Sequence, residues 1–222
     1  MSRAIFAMEA LSDFRTVASV APSSRYLVRA MLRPLPLEKA RVVVELGCGT
    51  GAMTRALLKQ LPPDATLLAF EINPRFTRYL KLTVSDPRLV LIDNSAETVR
   101  QELQRRGFER ADAVLSSLGL AFMPEPERDT FLGELSGLMT ENGVFTQYHY
   151  LHGLQFQNGQ LGRFDITRLL HRHFGSVERT IVWRNLPPAY VFVCRAPLHP
   201  EKHPTDNGKP AKPALFQESV RF

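Results

Sequence analysis

From residue 41 onward, short apolar runs alternate with amphipathic stretches of helical period. Strand patterns fall at Val42–Leu46, Thr66–Glu71, Arg88–Asp93, Ala111–Ser117 and Gly143–Tyr150. Helical patterns lie between them, near 52–61, 74–84, 95–106 and 125–140. Strand and helix in strict alternation predict an α/β fold with a parallel, doubly wound sheet. After a gap at 151–163, a helix near 165–174 leads to two more strands, Val177–Arg184 and Ala189–Arg195. Asn185-Leu186-Pro187-Pro188 joins them, and so short a link permits only an antiparallel hairpin.

Two helices are predicted before the sheet. Ile5, Phe6, Met8, Leu11, Phe14, Val17 and Val20 trace a helical face over residues 1–20. Its charges cancel, Arg3 and Arg15 against Glu9 and Asp13, so this stretch is no basic anchor by itself. Pro22-Ser23-Ser24 then supplies a cap for a helix from Arg25 to Arg33, closed by Pro34. Arg25, Arg29 and Arg33 recur every four residues and form one basic stripe suited to a phosphate-bearing surface. Residues 197–222 are rich in proline, lysine and polar residues without periodicity and read as a disordered tail. The division is a helical segment at 1–38, a domain at 39–196 and a tail at 197–222.

The first strand carries the chemistry. Val42-Val43-Val44-Glu45-Leu46 runs into Gly47-Cys48-Gly49-Thr50-Gly51, and a helical pattern follows at once. Alternate glycines allow positive φ and a close approach of backbone to a ligand. A dinucleotide turn reads G-x-G-x-x-G; here the spacing is G-x-G-x-G behind an acid. A carboxylate at that strand end would repel a pyrophosphate and suits a cationic aminoacyl sulfonium, so the loop reads as one for S-adenosylmethionine. Glu45, Gly47, Cys48, Gly49, Thr50 and Gly51 are its candidate lining. Glu71, at the end of the second strand with Ile72 beside it, is placed to accept both ribose hydroxyls. The adenine is expected at Asp93-Asn94-Ser95-Ala96, with Asp93 or Asn94 accepting from the exocyclic amine and Ser95 capping a helix while its backbone amide stays free for a ring nitrogen. Beyond the fourth strand, Ser116 and Ser117 open the stretch to Leu120 where methyl and acceptor would meet, without an obvious base. Tyr26, Tyr148, His149 and Tyr150 are the substrate-facing candidates, since aromatic faces stabilise a methylated ammonium.

Composition narrows the partners. No apolar run reaches the roughly 18 residues that would span a bilayer, and the amino terminus lacks the pattern of a secretory signal, so a cytoplasmic location is expected. Two cysteines make neither a disulfide framework nor a metal cluster, and the six histidines show no ligand spacing, so no metal is expected. A net charge of +6 favours anionic partners and admits either nucleic acid or an anionic membrane surface.

Over about residues 20–196 the chain resembles the soluble bacterial phospholipid N-methyltransferases, which are similar around the glycine loop to rRNA adenine dimethyltransferases. The matching stretches are A-P-S-S-R-Y-L at 21–27, E-L-G-C-G-T-G-A-M-T-R-A-L-L at 45–58, E-I-N-P-R-F at 71–76, T-Q-Y-H-Y at 146–150 and N-L-P-P-A at 185–189. The resemblance implies a seven-stranded, Rossmann-like class I methyltransferase with an antiparallel last strand. It implies stepwise methylation of phosphatidylethanolamine towards phosphatidylcholine, peripherally at the inner membrane, with binding helped by the N-terminal helical segment 1–38, which would face membrane and substrate. It also implies that Tyr26, Tyr148, Tyr150 and Asn185 border the acceptor. Cys48 stands where that family often has proline, Ser95 where an acid is common, and S-S-L-G at 116–119 where S-G-L-P is usual. Adenine methyltransferases need an N/D/S-P-P-aromatic turn after the fourth strand. That turn is missing, so nucleic acid is not the expected partner. The changed loop is also compatible with a small soluble amine as acceptor, or with cofactor binding that leads to no catalysis.

Overall fold

The computed structural model describes residues 23–151, 154–157, 160–163 and 166–198. The amphipathic stretch at 1–20 and nearly all of the proline-rich tail lie outside the described residues. Nine strands are described: β1 Val42–Leu46, β2 Thr66–Phe70, β3 Leu89–Ile92, β4 Ala111–Ser116, β5 Met139–Tyr150, β6 Leu154–Gln157, β7 Gln160–Arg163, β8 Phe174–Val182 and β9 Ala189–Pro197. The helices are α1 Arg25–Leu32, α2 Ala52–Leu58, α3 Pro74–Thr83, α4 Val99–Arg105, α5 Glu125–Gly137 and α6 Thr167–His173.

Seven strands form one sheet in the order β3-β2-β1-β4-β5-β9-β8. β1 to β5 pair in parallel, and β9 enters antiparallel between β5 and β8. β8, antiparallel to β9, therefore runs with β1–β5, and its end lies at the same carboxyl edge as theirs. Ala189 marks the alignment: it faces Tyr150 of β5 on one side and Val182 of β8 on the other. The expected Rossmann-like methyltransferase fold is thus present.

Alternating strand residues supply two cores, one on each face. Val42, Val44, Leu46 and Phe145 pack with α4, α5 and α6. Val43, Leu67, Ala113, Leu115 and Val144 pack with α1 and α2. All five residues of β1 are buried, as a central parallel strand covered on both faces requires. Helix α1 belongs to this body: Leu27 and Met31 are fully buried in the second core. Ser24 caps α1, its hydroxyl accepting from the Leu27 amide at 3.2 Å. Asn73 caps α3 by accepting from Arg75, ahead of Pro74 at the first turn.

Three differences from the sequence pattern stand out. The expected gap at 151–163 contains β6 and β7, a separate antiparallel ribbon. β5 starts four residues early, at Met139, which pairs with Ala111; the polar Thr140, Glu141 and Asn142 fall in the register irregularity before Val144 pairs with Ala113. At the far end, the sheet continues past 196: Leu198 donates its amide to His173 O at 2.8 Å and accepts from Ser136 Oγ at 3.0 Å.

Candidate active site

The glycine turn hangs on the end of β2. The amides of Gly47 and Cys48 both donate to Phe70 O, at 2.9 and 3.0 Å, and Gly51 donates to Cys48 O at 2.8 Å. Gly47, Gly49 and Gly51 all have positive φ, at 77°, 51° and 81°, the left-handed region that favours glycine. Their surroundings differ. A Cβ on Gly51 would lie 2.4 Å from Leu80 Cδ2, whereas one on Gly49 would meet nothing within 4 Å. Gly51 is fixed by packing, and Gly49 faces open space.

Glu71 spans the turn from the other side. Its Oε2 accepts from the Gly49 amide at 2.8 Å and its Oε1 from the Asn73 amide at 2.9 Å. Each oxygen retains a lone pair, so the held carboxylate can still accept ribose hydroxyls. Ile72 is half-buried beside it.

Glu45 lies beneath the turn and is 1% exposed. Burial pushes its carboxyl up to about 7, and the charge of Glu71 adds to the rise; Thr54 faces it from α2. Neither Glu45 Oε2 nor Thr54 Oγ1 reaches a hydrogen-bonding partner among the described residues. Along the same row of the sheet, Glu45 pairs with Leu115 and Leu115 with Thr146, whose Oγ1 is likewise buried without a partner. An orphaned carboxylate oxygen below an open, glycine-lined turn fits the cationic end of S-adenosylmethionine, because a buried acid with no counter-charge is costly until a cation reaches it.

Comparison with known proteins agrees. The family described as "Methyltransferase domain" matches residues 43–143. An ornithine lipid N-methyltransferase from Singulisphaera acidiphila is 34% identical over 181 residues, covering 81% of this chain and 88% of that protein. This chain belongs to that family. It is a class I S-adenosylmethionine-dependent N-methyltransferase. A ribosomal RNA small subunit methyltransferase H from Aromatoleum aromaticum is 32% identical, over 43% of this chain and 30% of its own length. The solved 1,6-didemethyltoxoflavin-N1-methyltransferase of Burkholderia thailandensis, with S-adenosylhomocysteine bound, shares the fold at a TM-score of 0.61 and 19% identity, over 87% of this chain and 88% of that one.

The remaining site residues of the methyltransferase divide into those the fold brings together and those it separates. Cys48 is a buried free thiol, pushed upward by burial and by the charges of Glu45 and Glu71, so it lines the turn as a neutral group. Thr50 is exposed, and its carbonyl accepts from Arg55 at 2.7 Å. Ser95 caps the next turn as expected, but its amide is not free: it donates to Asn94 Oδ1 at 2.8 Å. A ring nitrogen would have to displace Asn94 to reach it. Ala96 is half-exposed beside it. Ser116 is fully buried, its hydroxyl accepting from Leu118, and Ser117 donates to Met53 Sδ at 3.8 Å.

On the acceptor side, Tyr26, Tyr148 and Tyr150 flank the same core cluster. The Tyr148 and Tyr150 rings meet edge-on at 5.4 Å. Burial, with Tyr150 beside it, holds the Tyr148 phenol well above its ordinary range, so it stays protonated. Tyr26 is perturbed the opposite way. Hydrogen bonds from Arg25 and Arg184 lower its phenol, with guanidinium carbons 4.9 and 5.2 Å from its ring centre. His149 does not join the tyrosines: consecutive strand residues point to opposite faces, so it lies on the other side of β5. Asn185 is 5% exposed and already engaged, accepting from Ser24 N at 3.0 Å and donating to Pro187 O at 2.7 Å. It braces the hairpin against α1 rather than offering a free amide to substrate. Arg25, Arg29 and Arg33 do share an exposed stripe, yet Arg33 lies about 12 Å along the helix from Arg25, so one headgroup cannot span all three.

Three polar residues at the site were not singled out from sequence. Arg184 reaches Tyr26, Thr54 faces Glu45, and Gln147 ties the loop after β4 to β5. Gln147 is 1% exposed and donates to Leu118 O at 3.0 Å and Tyr148 O at 2.6 Å, while its Oε1 is buried without a partner among the described residues. A glutamine inside an otherwise buried strand was the available signal.

Proposed function

We propose that this N-methyltransferase acts on the terminal primary amine of a membrane lipid headgroup at the bilayer surface. The observation that carries the reading is the aromatic group of Tyr26, Tyr148 and Tyr150 beside basic Arg25 and Arg184, at the carboxyl edge of the sheet that also bears the glycine turn. An amino-lipid headgroup presents an amine a few atoms from an anionic group, and this pairing matches aromatic faces beside guanidinium groups. When bound, S-adenosylmethionine supplies an electrophilic methyl for in-line displacement by the amine nitrogen. Glu45, Gly47, Gly49 and Glu71 would hold it, with Asn94, Ser95 and Ala96 along the adenine.

The chain's own task is alignment, which can provide much of the rate. Tyr148, kept protonated, would hydrogen-bond the amine rather than remove its proton. Tyr26, made more acidic by its two arginines, is the better relay for the proton released as the N–C bond forms. The product's methylated ammonium would rest against the tyrosine rings.

The ornithine lipid N-methyltransferase relative favours an ornithine-lipid amine as acceptor. Phosphatidylethanolamine, which the resemblance implied, is the second reading, and both present the same chemistry. Mass spectrometry of total lipids separates them. The chain is expressed in a host that makes phosphatidylethanolamine but no methylated form, with and without ornithine-lipid synthesis. Stepwise one-methylene increments on one of the two lipids are expected. Folded protein with no methylated lipid in either arm would refute the proposal.

A further inference from the structure

The β8–β9 turn carries two exposed apolar side chains, Trp183 at 60% and Leu186 at 82%. Large apolar groups this exposed, close together in one short turn, lie at the active-site edge of the sheet, since Tyr150 and Val182 are aligned across Ala189. The backbone closes this alignment: Leu151 donates to Pro188 O at 2.9 Å. Asn185, buried between Trp183 and Leu186 in sequence, clamps the turn to the amino end of α1 through Ser24. The turn is therefore held rigidly beside the first turn of α1.

Charge surrounds it. Arg184 lies in the turn and Arg25 on the adjoining helix, both against Tyr26, and Arg29 is exposed one helical turn along. No carboxylate among the described residues pairs with Arg25, Arg29, Arg33 or Arg184, whereas Arg88, Arg105, Arg106, Arg172 and Arg195 each hold one. An indole and a leucine presented from a clamped turn, ringed by guanidinium groups without carboxylate partners, have the composition of a bilayer-interface anchor: the indole sits at headgroup level, the leucine enters the acyl boundary, and the arginines meet lipid phosphates.

We infer that the β8–β9 turn, with the first turn of α1, is the segment that docks this enzyme on an anionic phospholipid surface. Docking by this edge brings a headgroup amine to the tyrosine rim without removing the lipid from the bilayer. The inference rests on the lipid-amine reading above and names the surface that serves it.

Trp183 is the chain's sole tryptophan, so its fluorescence reports on this turn alone. The full-length protein is titrated with phosphatidylcholine vesicles containing or lacking phosphatidylglycerol, and with vesicles whose lipids are brominated in the upper acyl chain. Anionic vesicles are expected to shift Trp183 emission to the blue, and brominated lipids to quench it. Leu186→Ser should weaken vesicle partitioning about tenfold, as loss of one buried leucine implies. The same variant should keep methyl transfer to lipid dispersed in detergent micelles. Vesicle binding without a change in Trp183 emission, unaltered partitioning of Leu186→Ser, or an emission shift given by RNA and not by vesicles would overturn the inference. Micellar transfer separates the two readings: if no lipid amine is methylated there, the acceptor assignment falls, while the Trp183 signal still decides the docking surface.

Discussion

Glu45 sits in the middle of the sheet with a carboxylate oxygen that meets no donor among the described residues, and burial raises it to about 7. A carboxyl raised in the folded state stabilises the fold below its unfolded value near 4.5, and that contribution is lost as pH rises through about 7. At pH 8 the ionised, buried group therefore costs about 3 kcal/mol. Glu45→Gln should raise the thermal stability of the ligand-free protein at pH 8 and leave it nearly unchanged at pH 4, which scanning calorimetry at the two values checks. A cationic ligand favours the ionised form, so S-adenosylmethionine should bind the wild type several-fold more weakly at pH 6 than at pH 8. Titration calorimetry on Glu45→Gln should show weaker binding and a flatter pH profile. The acid's position was legible because it precedes the first glycine. Its missing partner was not, because that depends on where Thr54 comes to rest on α2.

At the scale of the element, the glycine turn contains two kinds of glycine that the sequence writes identically. Gly51 is pinned between α3 and its own helix: a Cβ there meets Leu80, itself fully buried and unable to withdraw. Gly51→Ala should lower unfolding stability by about 2–4 kcal/mol, from overpacking together with a left-handed backbone. Gly49→Ala carries only the backbone cost, about 1 kcal/mol, because nothing in the chain is near its Cβ. Its loss should fall on cofactor affinity instead. Chemical denaturation and ligand titration of both variants test the contrast. Elements defined by local chemistry were readable in this way: the cap at Ser24, β1 with its buried run, and the hairpin forced by a short link, which runs over 183–188 in the structure. The ribbon of β6 and β7 falls where the apolar pattern suggests a gap, although Asn158-Gly159, between short runs containing alternate apolar residues, is a hairpin signal. Ser95 and His149 depart from expectation for a different reason. Whether an amide is taken by the neighbouring side chain, and which face of a strand a residue occupies, are decided by the fold and not by adjacency in sequence.

Across the whole molecule, the site is assembled from both ends of the described chain. Helix α1 supplies Tyr26 and Arg25, the β8–β9 turn supplies Arg184, and Asn185 joins the two through Ser24. Asn185→Ala removes both hydrogen bonds and leaves the half-buried Ser24 amide without its acceptor, a loss of about 1–2 kcal/mol. Because the brace lies outside the glycine turn, that variant should bind S-adenosylmethionine normally while its methyl transfer to lipid falls; equilibrium binding measured beside lipid turnover checks the split. The parallel strands and the glycine turn were legible apart from the early start of β5, since periodicity and glycine spacing are local. The acceptor side was legible only as a set of aromatic and basic residues, because its geometry is made by contacts such as Ser24 with Asn185 and Tyr26 with Arg184, between opposite ends of the domain.

The insertion of β9 between β5 and β8 also sets an order of events at the ribosome. The cofactor half, β1 to β5, can pair as it emerges, each strand finding a neighbour already made. β8 has no partner in the main sheet until β9 follows it. The amino end of α1, among the first of the described residues to be synthesised, then waits for Asn185 before its brace can close. The glycine turn can therefore form in a nascent chain that still lacks an acceptor site, so cofactor binding is possible before the surface that would meet the lipid exists.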